Sequence, residues 1–216
     1  MNIQAVDRAT VTTDRYPQVI DEIANLKWPE LTREELMAAC AAYYYFSVQF
    51  VEAVGIACEL YPADTKLIEL REGECDTDNL SPYPGVAEPG EKMNHDEFMR
   101  RTVAMSSLDQ DTRNRIDALG RAYLDEAHKH DSITRAMSLS SYEDGGLEKV
   151  FEAILTAKDW DEPSLGAYRH FLVEHIKLDS GEHGGLCRHL VADDRIVPLW
   201  EAFRDILVGA APRLAA

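Results

Sequence analysis

Thr32-Arg33-Glu34-Glu35 is a capping box: the Thr32 hydroxyl and the Glu35 carboxylate are spaced to satisfy each other's backbone donors at the start of a helix. The residues beyond it are apolar and aromatic, through Tyr43-Tyr44-Tyr45-Phe46 and Phe50-Val51 to about Leu60, where Tyr61-Pro62 ends the segment. A helix that long and that apolar needs other helices around it, and the rest of the chain supplies them. Three consecutive tyrosines cannot all face one way on a helix, so at most one or two of Tyr43 to Tyr45 line a cavity.

Further helices are expected over Asp14 to Trp28 (stopped by Pro29), Asp64 to about Glu74, Asn94 to about Ser107, and Asp109 to about Lys129. Ser132 to Lys158 reads as helical with a weak point at Gly145-Gly146. Another helix starts at Pro163, and the last runs from Asp194 to Val208. Between Cys75 and Lys92 the residues Pro82, Pro84, Gly85, Pro89 and Gly90 predict an irregular loop, long enough to suggest a lid or a functional role. No segment alternates as a strand, no repeat appears and no linker divides the chain. The expected fold is all-α, a single domain over residues 1–216 with about seven or eight helices.

Charge narrows the partners. The net charge of −17, from 39 acidic and 22 basic residues, disfavours nucleic acid and anionic membranes, both of which require a basic face. No run of about 18 apolar residues suggests a membrane span. Cys40, Cys58, Cys75 and Cys187 form no metal or disulfide spacing, and the N-terminus lacks the apolar core of a signal peptide, so a reduced, cytoplasmic protein is expected.

The helix expected after Pro163 carries the strongest chemical signal, His175-x3-Asp179-x3-His183. On a helix, positions four and eight apart fall within about 80° of one another, so these three side chains share one face. Two imidazoles and a carboxylate in a row are what an iron site asks of a single helix. Glycines at 181, 184 and 185 imply a break near His183 or the close approach of another backbone. Upstream, carboxylates stand in Glu69-Leu70-Arg71-Glu72-Gly73-Glu74, His95 opens Asn94-His95-Asp96-Glu97-Phe98, and Glu143 precedes the Gly145-Gly146 weak point. His128, His130, His170 and His189 read as structural or surface histidines, and Glu52 as an acid on an exposed helix edge.

In that order, Glu, His, Glu and then His-Asp-His, the chain resembles the haem-oxygenase-like diiron oxidases and oxygenases over roughly residues 60 to 190. The resemblance implies a seven-helix haem-oxygenase-like bundle, and a ligand and catalytic set of Glu74, His95, Glu143, His175, Asp179 and His183, with Glu72 and Glu69 as alternatives to Glu74. It implies two Fe ions (manganese accepts the same donors), O2 as co-substrate, an external electron donor and a homodimer. The implied activity is oxidation of a small amino acid or amine in specialised metabolism: N-oxygenation, oxidative C–C cleavage, desaturation or nitrile formation. An arginine such as Arg135 or Arg169 would pair with a substrate carboxylate. Competing readings are a cofactor-free or thiol-dependent enzyme of the thiaminase-II-like branch, which would use Cys187, and a non-catalytic metal-binding helical protein. Haem binding would need a histidine nearer the N-terminus than His95, the first in the chain.

Overall fold

The computed structural model describes residues 15–179 and 185–216, with Asp179 described in its backbone alone. Nine α-helical segments occur among them: α1 (Tyr16–Ala24), α2 (Arg33–Leu60), α3 (Thr65–Glu74), α4 (His95–Ala104), α5 (Gln110–Ala127), α6 (Ser132–Ser141), α7 (Leu147–Ile154), α8 (Pro163–Asp179) and α9 (Val197–Ala210). A π turn over Tyr142–Gly146 links α6 to α7 across a kink at which Asp144 and Gly145 leave helical dihedrals; with the pair counted as one kinked helix, the bundle has eight among the described residues. No strand occurs among the described residues, only the isolated bridges Thr77–Met93 and Tyr83–Ala87. The all-α expectation holds. No described helix is long and apolar enough to cross a membrane.

The helix opened by the capping box is the axis of the bundle. Thr32 accepts from the Glu35 N–H (3.2 Å), and Glu35 accepts from the Thr32 N–H (3.0 Å) and hydroxyl (2.8 Å). From there α2 packs against α3, α4, α5, α6, α8 and α9. Ala38, Ala39, Ala42, Ala53 and Ala57 are buried along it and let neighbouring helices approach closely, while Phe46 and Tyr43 fill the centre. The ring centroid of Phe46 lies 4.2 Å from Phe203 and 5.1 Å from Tyr142, which ties α2 to α9 and to the π turn. Gly120 of α5 sits so close to α2 that an added methyl group would overlap the Tyr45 ring.

Several expected boundaries move, each for a local reason. The first helix stops at Ala24 instead of Trp28, because the Asn25 amide donates to the Asp21 carbonyl (2.8 Å) and closes the turn. Trp28 starts a short 3-10 turn, its indole N–H donating to the Ile23 carbonyl (3.0 Å). Asn94 does not cap α4 with its side chain; its Oδ1 accepts from the Asp76 N–H instead (3.0 Å), and α4 ends at Ala104, short of Ser107. A 3-10 turn over Asp194–Ile196 precedes the last helix. The Gly145-Gly146 weak point is the π turn, where Gly145 takes φ +86°, a conformation that strains any residue with a Cβ.

Candidate metal centre

The long loop does not separate Glu74 from His95; its base brings them together. Cys75 leaves α3 in an extended conformation, and Asp76 turns the chain back with φ +51°. The Asp76 N–H is held by Asn94, and Thr77 and Met93 exchange backbone bonds of 3.1 and 2.9 Å. The last residue of α3 therefore faces the first residue of α4, and Glu74 Oε2 lies 2.7 Å from His95 Nδ1. Both side chains are buried, whereas Glu69 and Glu72 point to solvent. Glu74 is thus the carboxylate of this segment that reaches the interior.

His175 comes from α8, whose N-terminal turn is held by the Glu162 carboxylate accepting from the Leu165 N–H (3.1 Å). Leu165, Tyr168, Phe171 and Leu172 bury one face of this helix, and His175 continues that face inward. Its Nε2 lies 3.0 Å from His95 Nδ1, with the rings edge to face at a centroid distance of 4.7 Å. One ligand atom each from Glu74, His95 and His175 falls within 4.8 Å of the others, so the described residues contain a buried cluster that can hold a metal ion.

Hydrogen bonds on the far sides of both rings orient the nitrogens that face the centre. His175 Nδ1–H donates to the Phe171 carbonyl (2.9 Å), leaving the lone pair of Nε2 turned inward. The Asn79 amide donates through Nδ2 to the Gly73 carbonyl (2.8 Å), so its oxygen faces His95 and accepts from Nε2–H (2.9 Å). The lone pair of His95 Nδ1 then points at Glu74 and His175. These three groups need a proton or a metal ion among them, and cis donors on a cation about 2.1 Å away stand about 3 Å apart. The donors present, two imidazoles and a carboxylate, fit such a cation.

Above the cluster, Tyr43, Phe46, Phe50, Phe151 and Phe171 wall a cavity that also receives Glu143. Its free volume is about 20 Å³, room for about one water molecule or one ion. Glu143 lies in the π turn, just before the kink at Asp144 and Gly145, and is buried. Of the three tyrosines on α2, Tyr43 alone lines this cavity, and Tyr44 and Tyr45 line a separate groove with α5.

The sequence-derived set divides accordingly. Glu74, His95 and His175 come together, and Glu143 borders the same cavity. Asp179 follows one helical turn after His175 on α8, with its side chain outside the described residues, and His183 lies outside them altogether. Neither expected arginine lines the cavity: Arg135 pairs with Glu52 (2.6 Å), and Arg169 is exposed. Glu52 is half-buried, not on a freely exposed edge, and also meets His128 (2.8 Å). His170 bonds the Ser81 carbonyl (2.8 Å) and His189 the Asp64 carboxylate (2.6 Å), both structural roles. Asn79 had no signal in the sequence, since an amide in an irregular loop has no periodicity to read.

Two thiols near the centre are shifted by burial. Burial pushes Cys187 far above the ordinary thiol range, and the Glu143 carboxylate adds to the shift. Burial, reinforced by Glu74, pushes Cys75 up to about 11. Without a metal both shifts favour the protonated thiol, which is a poor nucleophile. The chain matches no known protein family, no curated protein and no solved structure, so what can be said of its function rests on these side chains and on the sequence pattern that carries them.

Proposed function

We propose that this chain is a non-haem diiron oxidase or oxygenase that uses O2 to oxidise a small amino acid or amine-type substrate in specialised metabolism. The observation that carries the reading is the inward convergence of Glu74 Oε2, His95 Nδ1 and His175 Nε2 beneath aromatic walls. Imidazole and carboxylate suit ferrous iron, and manganese accepts the same donors. Bound iron would supply the redox chemistry with dioxygen that no amino-acid side chain provides.

The chain's own residues would do the rest. Glu74, His95 and His175 hold the first metal position, and Glu143 in the same cavity, with Asp179 and His183, completes the set that the family resemblance implies. Phe46, Phe50, Phe151 and Phe171 exclude bulk water, which strengthens every charge interaction inside. Among the described residues, no lysine or arginine lines the cavity. A substrate carboxylate therefore finds no cationic side chain to pair with among them. Since the cavity holds about one ion or water, an organic substrate requires side chains to move. An outside electron donor completes the balance for oxidations that need more electrons than the substrate gives.

A one-metal reading also has an observation in its favour. Glu74, His95 and His175 by themselves form a 2-His-1-carboxylate set, the donor set of mononuclear non-haem iron oxygenases. The thiol-dependent alternative is disfavoured by the protonated, fully buried Cys187. Anaerobic Fe(II) titration of metal-stripped protein, followed by oxygen exposure, separates the rest. Two equivalents per chain, lost in His175→Ala/Asp179→Ala, support the diiron site, and one equivalent supports the mononuclear one. Tight binding with no substrate-dependent oxygen uptake across a panel of amines and amino acids would leave a non-catalytic metal-binding protein. No stoichiometric binding refutes both metal readings.

A further inference from the structure

Asn79 touches neither the cavity nor the inward-facing atoms, yet it bonds to both elements of the loop-bridged half of the centre. Its Nδ2 donates to the carbonyl of Gly73, the residue before Glu74, and its Oδ1 accepts from His95 Nε2–H. The two ends of an amide are chemically distinct, and a carbonyl only accepts, so Gly73 dictates which end of Asn79 meets His95. Rotating the imidazole by half a turn would break that bond and take Nδ1 away from Glu74. The loop in turn holds Asn79, whose own N–H donates to the Thr77 hydroxyl (3.3 Å) beside the Thr77–Met93 bridge.

We infer that Asn79 is a positioning residue of the metal centre: it locks the tautomer and ring rotation of His95 so that Nδ1 is the ligating nitrogen. The inference rests on the metal-centre reading but not on oxygen chemistry. Partners on the far side of ligating imidazoles orient the ring and raise its basicity, and removing them typically weakens metal affinity about 10–100-fold. The amide also ties metal binding to the order of the loop, because the ring that must face the metal is held by a loop side chain.

The test compares the parent, Asn79→Ala and Asn79→Asp, each checked for native circular dichroism. Affinity for Co(II) and Zn(II) is measured by competition with a chromophoric chelator, and the Co(II) forms are examined by NMR for the shifted, exchangeable imidazole N–H of His95. Asn79→Ala should bind about 10–100-fold more weakly and lose that resonance to solvent exchange. Asn79→Asp, which still offers an oxygen to Nε2–H, should recover most of the affinity and keep the resonance. An unchanged affinity in Asn79→Ala overturns the inference. So does equal weakening of both variants with loss of the resonance in both, since that outcome assigns Asn79 to loop packing alone. A parent that binds no metal sinks the metal centre and this inference with it; a parent that binds metal without consuming oxygen sinks only the proposed activity.

Discussion

Binding a metal ion should raise the melting temperature of this chain, and His175→Ala should erase the rise. The three inward-facing donors come from α3, α4 and α8, and His95 and His175 are separated by 80 positions in the chain. An unfolded chain presents no such cluster, so the metal binds the native state and stabilises it by mass action. At a hundredfold excess over Kd the gain is about 2.7 kcal/mol, and at a thousandfold about 4.1 kcal/mol. A domain of this size shifts by about 2–4 °C per kcal/mol, so the expected rise is about 5–16 °C.

The metal-free baseline of the variant is a poorer guide. His175→Ala removes a ring packed 3.9 Å, centroid to centroid, from Phe171, and it also removes the contact of Nε2 with His95 Nδ1. The balance of these changes is not fixed by the geometry, so the quantity to read is the metal-dependent shift. Calorimetry with chelator, with Co(II), and with anaerobic Fe(II) measures it. Ca(II) serves as the control for loose binding to a surface of net charge −17. A parent with the same midpoint in chelator and Co(II), or a His175→Ala variant that keeps the full rise, would refute the reasoning.

Three further outcomes are expected. Gly120→Ala gains about 1 kcal/mol of helix propensity but forces a methyl group into the Tyr45 ring, itself held by Asp117 (2.8 Å). Overpacking costs about 1–3 kcal/mol, so denaturant titration should show a net loss of about 0–2 kcal/mol and no gain. At the start of α2, burial pushes Glu35 up, but bonds from the Thr32 N–H and hydroxyl and from Arg213 outweigh it and lower the carboxyl below its ordinary value. A lowered folded value means that the stabilisation is complete above the ordinary carboxylate range and is lost as pH falls through the folded value. Urea titrations below about pH 5 should therefore show Glu35→Gln, worth about 1 kcal/mol at neutral pH, converging on the parent. Finally, Cys187→Ala should leave metal stoichiometry and any oxygen uptake intact, because the thiol is buried and protonated; loss of activity with retained metal would revive a thiol mechanism.

Some of this protein was legible from sequence because local physics decided it. The Thr32–Glu35 capping box, the stop at Tyr61-Pro62, the helix starts at Asp64 and Asp109 and the Gly145-Gly146 interruption all act within a few residues, and each appears where the pattern put it. The ligand-type residues on separate helices were readable as a set in order, and three of them converge. What the sequence left open depended on side chains meeting across long separations. Glu74, and not Glu69 or Glu72, reaches the interior because α3 turns that position toward α4. Arg135 pairs with Glu52, 83 positions away, and does not line the cavity. Asn79 acquires its contact with His95 from the way the loop base closes. Helix signals are written in neighbouring residues and survive in a linear reading. Which atom of an imidazole faces a metal is set by packing and hydrogen bonds between distant segments, and only the folded chain brings those segments together.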